Sequence, residues 1–175
     1  KMRIVAGTQT TGTLYVYRFD GTNYQEEWTA VISPGAMIIP TAIGDADNDG
    51  KPEILVNIRP PQGPSDSKIH MYRWNGTAYA QVLEQQLDDV GAGFLPAAIR
   101  DLDGNGMNEL VLVGTQVNIM RYSQTSHSFE KLWATTSWAY NFGNSIQVST
   151  GDVDGDGTPE IVASISLSAF DPVPT

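Results

Sequence analysis

The chain has 175 residues, no cysteine and a net charge of −10, from 20 acidic and 10 basic residues. That length holds one domain with a sizeable core, or part of a larger one, and the missing cysteine excludes disulfides, a thiolate nucleophile and thiolate metal ligands. No apolar run approaches the roughly 18 residues that span a bilayer, and the opening stretch KMRIVAGTQT carries no signal-peptide h-region, so an exported form would be mature or a fragment.

Taken in order, the elements recur. MRIVAG (2–7) reads as a strand, and LYVYRFDGTNY (14–24) as a strand entering a hairpin. Asp20-Gly21 is a two-residue hairpin signal, because a type I′ turn needs φ > 0 at both central positions. In 14–19, Leu14 and Val16 face one way and Tyr15, Tyr17 and Phe19 the other. Apolar residues on both faces predict a sheet covered on both sides, since one wet face would show polar alternation. EEWTAVI (26–32) and AMIIPTAIG (36–44) follow as strands.

GDADNDGKPEILV (44–56) then places Asp45, Asp47, Asp49 and Glu53 within nine positions, directly before an apolar strand. At an effective dielectric near 20, two carboxylates ~4 Å apart repel by about 4 kcal/mol. Either the loop is solvated or a cation offsets that repulsion. The pattern returns as RDLDGNGMNELVLV (100–113) and GDVDGDGTPEIVAS (151–164), giving D-x-D-x-[DN]-G-x-x-E before a β-prone run each time. The three loops hold 11 of the 20 acidic residues, so the rest of the chain is near neutral and presents no basic patch for nucleic acid.

Between the loops the hairpin recurs as IHMYRWNGTAY (69–79), with Asn75-Gly76 at its turn, and as NIMRYSQTSHSF (118–129), whose extra residue and missing glycine require a different turn. Arg18, Arg73 and Arg121 align, and pairing with a carboxylate of the same or the next blade is their expected job. Over 79–90, Leu83, Leu87 and Val90 have helical spacing, but the equivalent EEWTAVI and KLWATTSW (131–138) are strand-like, so a strand is expected. GFLPAAIR (93–100) and NSIQVSTG (144–151) repeat the strand that precedes each acidic loop.

Each repeat is therefore an inner strand, an acidic loop, a second strand and a hairpin of two more. The expected fold is all-β: a β-propeller of about three four-stranded antiparallel blades. It occupies 1–175 as one region, with units near 1–43, 44–99 and 100–150 and a partial 151–175. Three blades cannot close around an axis, so the expectation is part of a longer propeller chain or one arc of a ring completed by other copies.

An EF-hand would need a bidentate Glu at loop position 12 and flanking helices, but position 12 is Val56, Leu112 and Ala163, and the flanks are strands. The donor pattern still suits a hard cation. The side chains at positions 1, 3 and 5 are Asp45, Asp47, Asp49; Asp101, Asp103, Asn105; and Asp152, Asp154, Asp156. Glycine at position 6 permits the sharp turn, the carbonyls of Lys51, Met107 and Thr158 can point inward, and Glu53, Glu109 and Glu160 close the set. Five oxygens plus water is calcium chemistry, at up to three sites; zinc would want His or Cys. Asn105 removes one charge from the second loop, which should bind more loosely.

FGNSIQVSTGDVDGDGTPEIVAS (142–164), with its Phe142-Gly143 pair, resembles the FG-GAP repeat of integrin α-subunit propellers and the related VCBS repeats of secreted microbial proteins. Gly93-Phe94 is a scrambled echo of the pair. The resemblance implies calcium in the loops on the propeller's underside. It also implies an extracellular or cell-surface place and a recognition role toward glycan or protein. Two other readings remain: a polysaccharide-lyase propeller, for which no base can be assigned, and a subunit of an extracellular filament or surface layer. Trp138, Tyr140 and Asn141 are the aromatic-loop candidates, while Trp28, Trp74 and Trp133 are expected mostly between blades. His70 and His127 show no triad arrangement, and the Asn75-Gly76-Thr77 sequon is equally a turn.

Overall fold

Every regular element among the described residues is a β-strand. The computed structural model describes residues 2–61, 68–87, 97–114, 116–136 and 146–165. The first sheet holds β1 (Arg3–Gly7), β2 (Thr13–Phe19) and β3 (Tyr24–Val31) in that order. The second runs β4 (Met37–Gly44), β5 (Glu53–Arg59), β6 (Lys68–Trp74), β7 (Tyr79–Gln86). The third repeats it as β8 (Ala97–Arg100), β9 (Glu109–Val113), β10 (Val117–Ser123), β11 (Ser128–Ala134). The last pairs β12 (Ile146–Gly151) with β13 (Glu160–Ile165). All pairings are antiparallel and join sequence neighbours.

The sheets pack face to face. Leu14, Val16, Ile38, Ile54, Val56 and Tyr72 fill the space between the first and second, with Trp28 and Trp74 packed against them. Leu55, Ile69, Met71, Leu110, Leu112 and Phe129 fill the next interval, and Val111, Val113 and Val117 meet Val148, Ile161 and Ala163 in the third. Burial of each large apolar side chain contributes roughly 1.5–3 kcal/mol. Two-faced burial explains why Ile54–Val56 in β5 and Leu110–Val113 in β9 read as unbroken apolar runs. The inner strands line up, β4 beside β8 and β8 beside β12. The contact is close: a Cβ on Gly44 would sit 3.2 Å from the Ile99 side chain, and one on Gly7 only 2.2 Å from the Ile38 carbonyl oxygen.

The stretch with helical spacing is strand over Tyr79–Gln86, because pairing with β6 continues through Lys68↔Gln86; Val90 lies outside the described residues. The hairpins form where expected, but not as two-residue type I′ turns. Phe19↔Tyr24 and Trp74↔Tyr79 close four-residue loops, and only Gly21 and Gly76 have positive φ. The Asp20 carboxylate accepts the N–H groups of Thr22 (2.8 Å) and Asn23 (2.9 Å), and the Asn75 side-chain oxygen those of Thr77 (3.0 Å) and Ala78 (2.9 Å). That side-chain cap holds the first residue out of the left-handed region. The third turn does differ: His127, at φ 52°, donates its N–H to the Ser123 carbonyl.

The pairs β2–β3, β6–β7 and β10–β11 each carry a bulge at the same place, two residues before the aligned arginine: Val16/Tyr17, Met71/Tyr72 and Ile119/Met120. A bulge adds local twist and re-aims side chains. In the first sheet the extra residue is Glu27, which pairs with both Arg3 and Arg18.

Candidate metal centre

The three acidic loops sit at one end of the sheets, where β4, β8 and β12 turn into β5, β9 and β13. They share one backbone wiring. The position-6 N–H donates to the position-1 carboxylate: Gly50 to Asp45 at 3.0 Å, Gly106 to Asp101 at 2.8 Å and Gly157 to Asp152 at 2.9 Å. The position-7 N–H donates to the position-5 oxygen: Lys51 to Asp49 at 3.0 Å, Met107 to Asn105 at 2.8 Å, Thr158 to Asp156 at 2.7 Å. The position-9 Glu reaches back to accept the position-2 N–H: Ala46 at 3.0 Å, Leu102 at 2.9 Å and Val153 at 2.8 Å.

These bonds fix the carboxylates rather than leaving them splayed into water. Oxygens of Asp45, Asp47 and Glu53 lie within 4.8 Å of one another, as do those of Asp101, Asp103, Glu109 and of Asp152, Asp154, Glu160. That span is about twice the 2.3–2.6 Å calcium–oxygen distance, and the donors are all oxygen, so the residues fit a hard cation. Asp45, Asp47 and Glu53, and their counterparts in the other two loops, would hold it, and the ion's charge would offset their mutual repulsion.

Sequence reasoning missed a second left-handed position. Asn48 (φ 62°), Gly104 (71°) and Gly155 (80°) at position 4 precede the left-handed glycines Gly50, Gly106 and Gly157 at position 6. Asn and Gly are the residues that tolerate this conformation, and that shared pair of types was the readable signal. Asn48 also ties two loops together. Its Oδ1 accepts the Asn108 N–H at 2.5 Å, its Nδ2 donates to the Asn108 carbonyl at 3.2 Å, and Asn108 Nδ2 donates to the Asp45 carbonyl at 2.9 Å. Gln124, from the third sheet, donates to the Asp47 carbonyl at 2.6 Å.

The aligned arginines do find carboxylates of their own sheet. Arg73 Nε donates to Glu53 Oε1 at 2.8 Å, its Nη1 stands 3.0 Å from Asp49, and its Nη2 donates to Asp47. Arg121 Nε donates to Glu109 at 2.7 Å and its Nη2 to Asp103 at 2.9 Å. Glu53 is wholly buried and Glu109 nearly so. Burial pushes the Glu53 carboxyl above its ordinary range, against the opposing pull of Arg73 and the Ala46 N–H. Burial disfavours the Arg73 charge, but its bonds to Glu53 and Asp47 outweigh that and raise its pKa. The first loop is the most enclosed and the third the most exposed.

Of the other candidates, His70 is buried beside Tyr72 and Glu84, and burial lowers its pKa. Trp133 is about half exposed on β11 rather than between sheets. Trp138, Tyr140, Asn141 and the Phe142-Gly143 and Gly93-Phe94 pairs lie outside the described residues.

A family model described as an FG-GAP-like repeat matches residues 4–56 and 101–163, which include all three acidic loops. No curated protein and no solved structure matches the chain.

Proposed function

Because the chain belongs to the FG-GAP-like repeat family, whose repeats are β-propeller blades, we propose that it is a calcium-stabilised, non-catalytic extracellular module that recognises a glycan or a protein. The observation that carries this reading is the wiring common to the three loops. Each converges an oxygen-only set while anchoring it to backbone amides, as a structural ion site requires. The carboxylates are engaged within their own loops, which leaves recognition to the opposite end of the sheets. There Gln9, Thr10, Gly35, Met37, Arg59 and Pro61 line a groove of about 290 Å³. A glycan array run with and without calcium tests the reading. Binding should survive in chelator as far as the fold does, because the ion does not bridge to the ligand. Loss of binding with an unaltered circular dichroism spectrum contradicts it, and unsaturated products from a uronate polymer would point to a lyase instead.

The outer faces support an assembly of more blades than the described sheets supply. Ile4 is 45% exposed on the far side of the first sheet, and Val162 is 55% exposed on that of the last. Tyr15 and Tyr17 stack at 6.2 Å on the same face as Ile4. We propose that further blades cover both faces, from a longer chain or from other copies. A monomer by light scattering that melts sharply would overturn this for the 175-residue chain.

A further inference from the structure

The first and second acidic loops are joined by a clamp of two asparagines. Asn48 stands at position 4 of the first loop and Asn108 at position 8 of the second, both half-buried beside exposed loop tips. Asn48 Oδ1 accepts the Asn108 N–H, and its Nδ2 donates to the Asn108 carbonyl, so one side chain grips both backbone groups of its partner. The return bond runs from Asn108 Nδ2 to the Asp45 carbonyl. Asn48 directly follows Asp47 and Asn108 directly precedes Glu109, so all three bonds act on the chain that carries the two oxygen sets. Asn48 holds φ 62° to do this, where the other two loops place Gly104 and Gly155. Its two side-chain bonds offset the cost of a left-handed backbone, which glycine avoids. Between the second and third loops the same two positions are Gly104 and Pro159. Glycine has no side chain to reach across and proline has no N–H to be received, so that pair cannot form the clamp. The difference lies within the loops themselves.

We propose that Asn48 and Asn108 are positioning residues that make the first two loops one cooperative cation-binding unit, in which filling either loop raises the affinity of the other. This rests on the reading of the loops as cation sites. Holding Asp45 and Asp47 in place also holds the Asp45 carbonyl and Asn48, and through them Asn108. Asn108 in turn sets the backbone before Glu109, whose carboxylate accepts the Leu102 N–H and so closes the second loop. The second loop to fill is then already ordered by the first, and the ordering cost is met once. Linkage makes the effect mutual. Gln124 reinforces the joint: its Nε2 holds the Asp47 carbonyl at 2.6 Å from the turn after β10, the strand that also presents Arg121 to the second loop. Repulsion between two bound ions opposes cooperativity, but each loop brings at least three carboxylates of its own to neutralise its ion.

The amide signals of Gly50, Gly106 and Gly157 report the three loops separately, because each N–H donates to the position-1 carboxylate of its own loop. Calcium chloride titrated into the metal-free chain and followed at these amides by nuclear magnetic resonance tests the proposal. The chains compared are the wild type, Asp101→Asn, Asn48→Gly and the double variant. Asp101→Asn weakens the second loop and should raise the calcium concentration at the Gly50 midpoint by about fivefold or more, the usual lower end of coupling between sites. The Gly157 midpoint should stay in place. Asn48→Gly installs the residue that the other two loops carry at this position, so the left-handed turn is kept while the clamp is lost. In that background Asp101→Asn should no longer move the Gly50 midpoint. A Gly50 midpoint that Asp101→Asn leaves in place, or moves equally without Asn48, overturns the cooperative unit and leaves the cation reading intact. No response of any of the three amides to calcium overturns the cation reading itself, and this proposal with it.

Discussion

Glu53→Ala should lower stability by about 3–5 kcal/mol, the range for breaking a buried ion pair by removing one partner. Glu53 is wholly buried, and its two oxygens serve two elements. One accepts the Ala46 N–H at 3.0 Å, and Ala46 is itself buried; the other accepts Arg73 Nε at 2.8 Å. Truncation orphans a buried donor, loosens the guanidinium that also holds Asp47 and Asp49, and leaves a cavity where the side chain stood. The matched control is Glu160→Ala. Glu160 makes the same bond to the Val153 N–H at 2.8 Å, but it is half-buried and has no described ion pair. Its loss should cost about 1 kcal/mol, that of one ordinary hydrogen bond. Urea denaturation of both variants in metal-free buffer measures the difference, and equal costs would show that the arginine contact contributes nothing.

That contrast marks where the sequence was legible. The strand count, the meander order and the loop positions follow from the repeat, because D-x-D-x-[DN]-G-x-x-E recurs at a fixed place before an apolar strand. The alignment of Arg18, Arg73 and Arg121 also announced a carboxylate partner. Which carboxylate could not be read, because all three sheets carry the same bulge and the residue standing at it differs: Glu27 in the first, Val82 in the second and Leu132 in the third. In the first sheet the bulged residue Glu27 takes Arg18, whereas in the second and third the acidic loop takes the arginine. The turn type failed for a related reason. Asp-Gly and Asn-Gly mark a hairpin, but the side-chain oxygens of Asp20 and Asn75 bind two amides each and move the left-handed requirement onto glycine alone. The loop-to-loop clamp of Asn48 and Asn108 was invisible, since each is an unremarkable loop residue until the sheets pack.

Calcium should raise the melting temperature, and removing it should lower it. An ion that binds only the folded chain adds RT ln(1 + [L]/Kd), about 2.7 kcal/mol per site at a hundredfold excess over Kd. For a chain of this size that is roughly 5–10 °C per site. The loops should not contribute equally. Asp152→Ala removes a charge from the four-carboxylate loop that has no described arginine, and with calcium present it should cost more than Asn105→Ala, which alters a loop of three carboxylates already facing Arg121. In chelator the Asp152→Ala penalty should shrink. The variant still loses the N–H bonds from Gly155 at 2.7 Å and Gly157 at 2.9 Å, but it also relieves repulsion among the remaining acids. Calorimetric melts of the wild type and both variants, in calcium and in chelator, give all the comparisons at once. A wild-type melting curve unchanged by chelator, with no bound metal by elemental analysis, would mean that hydrogen bonds and arginine alone hold these loops.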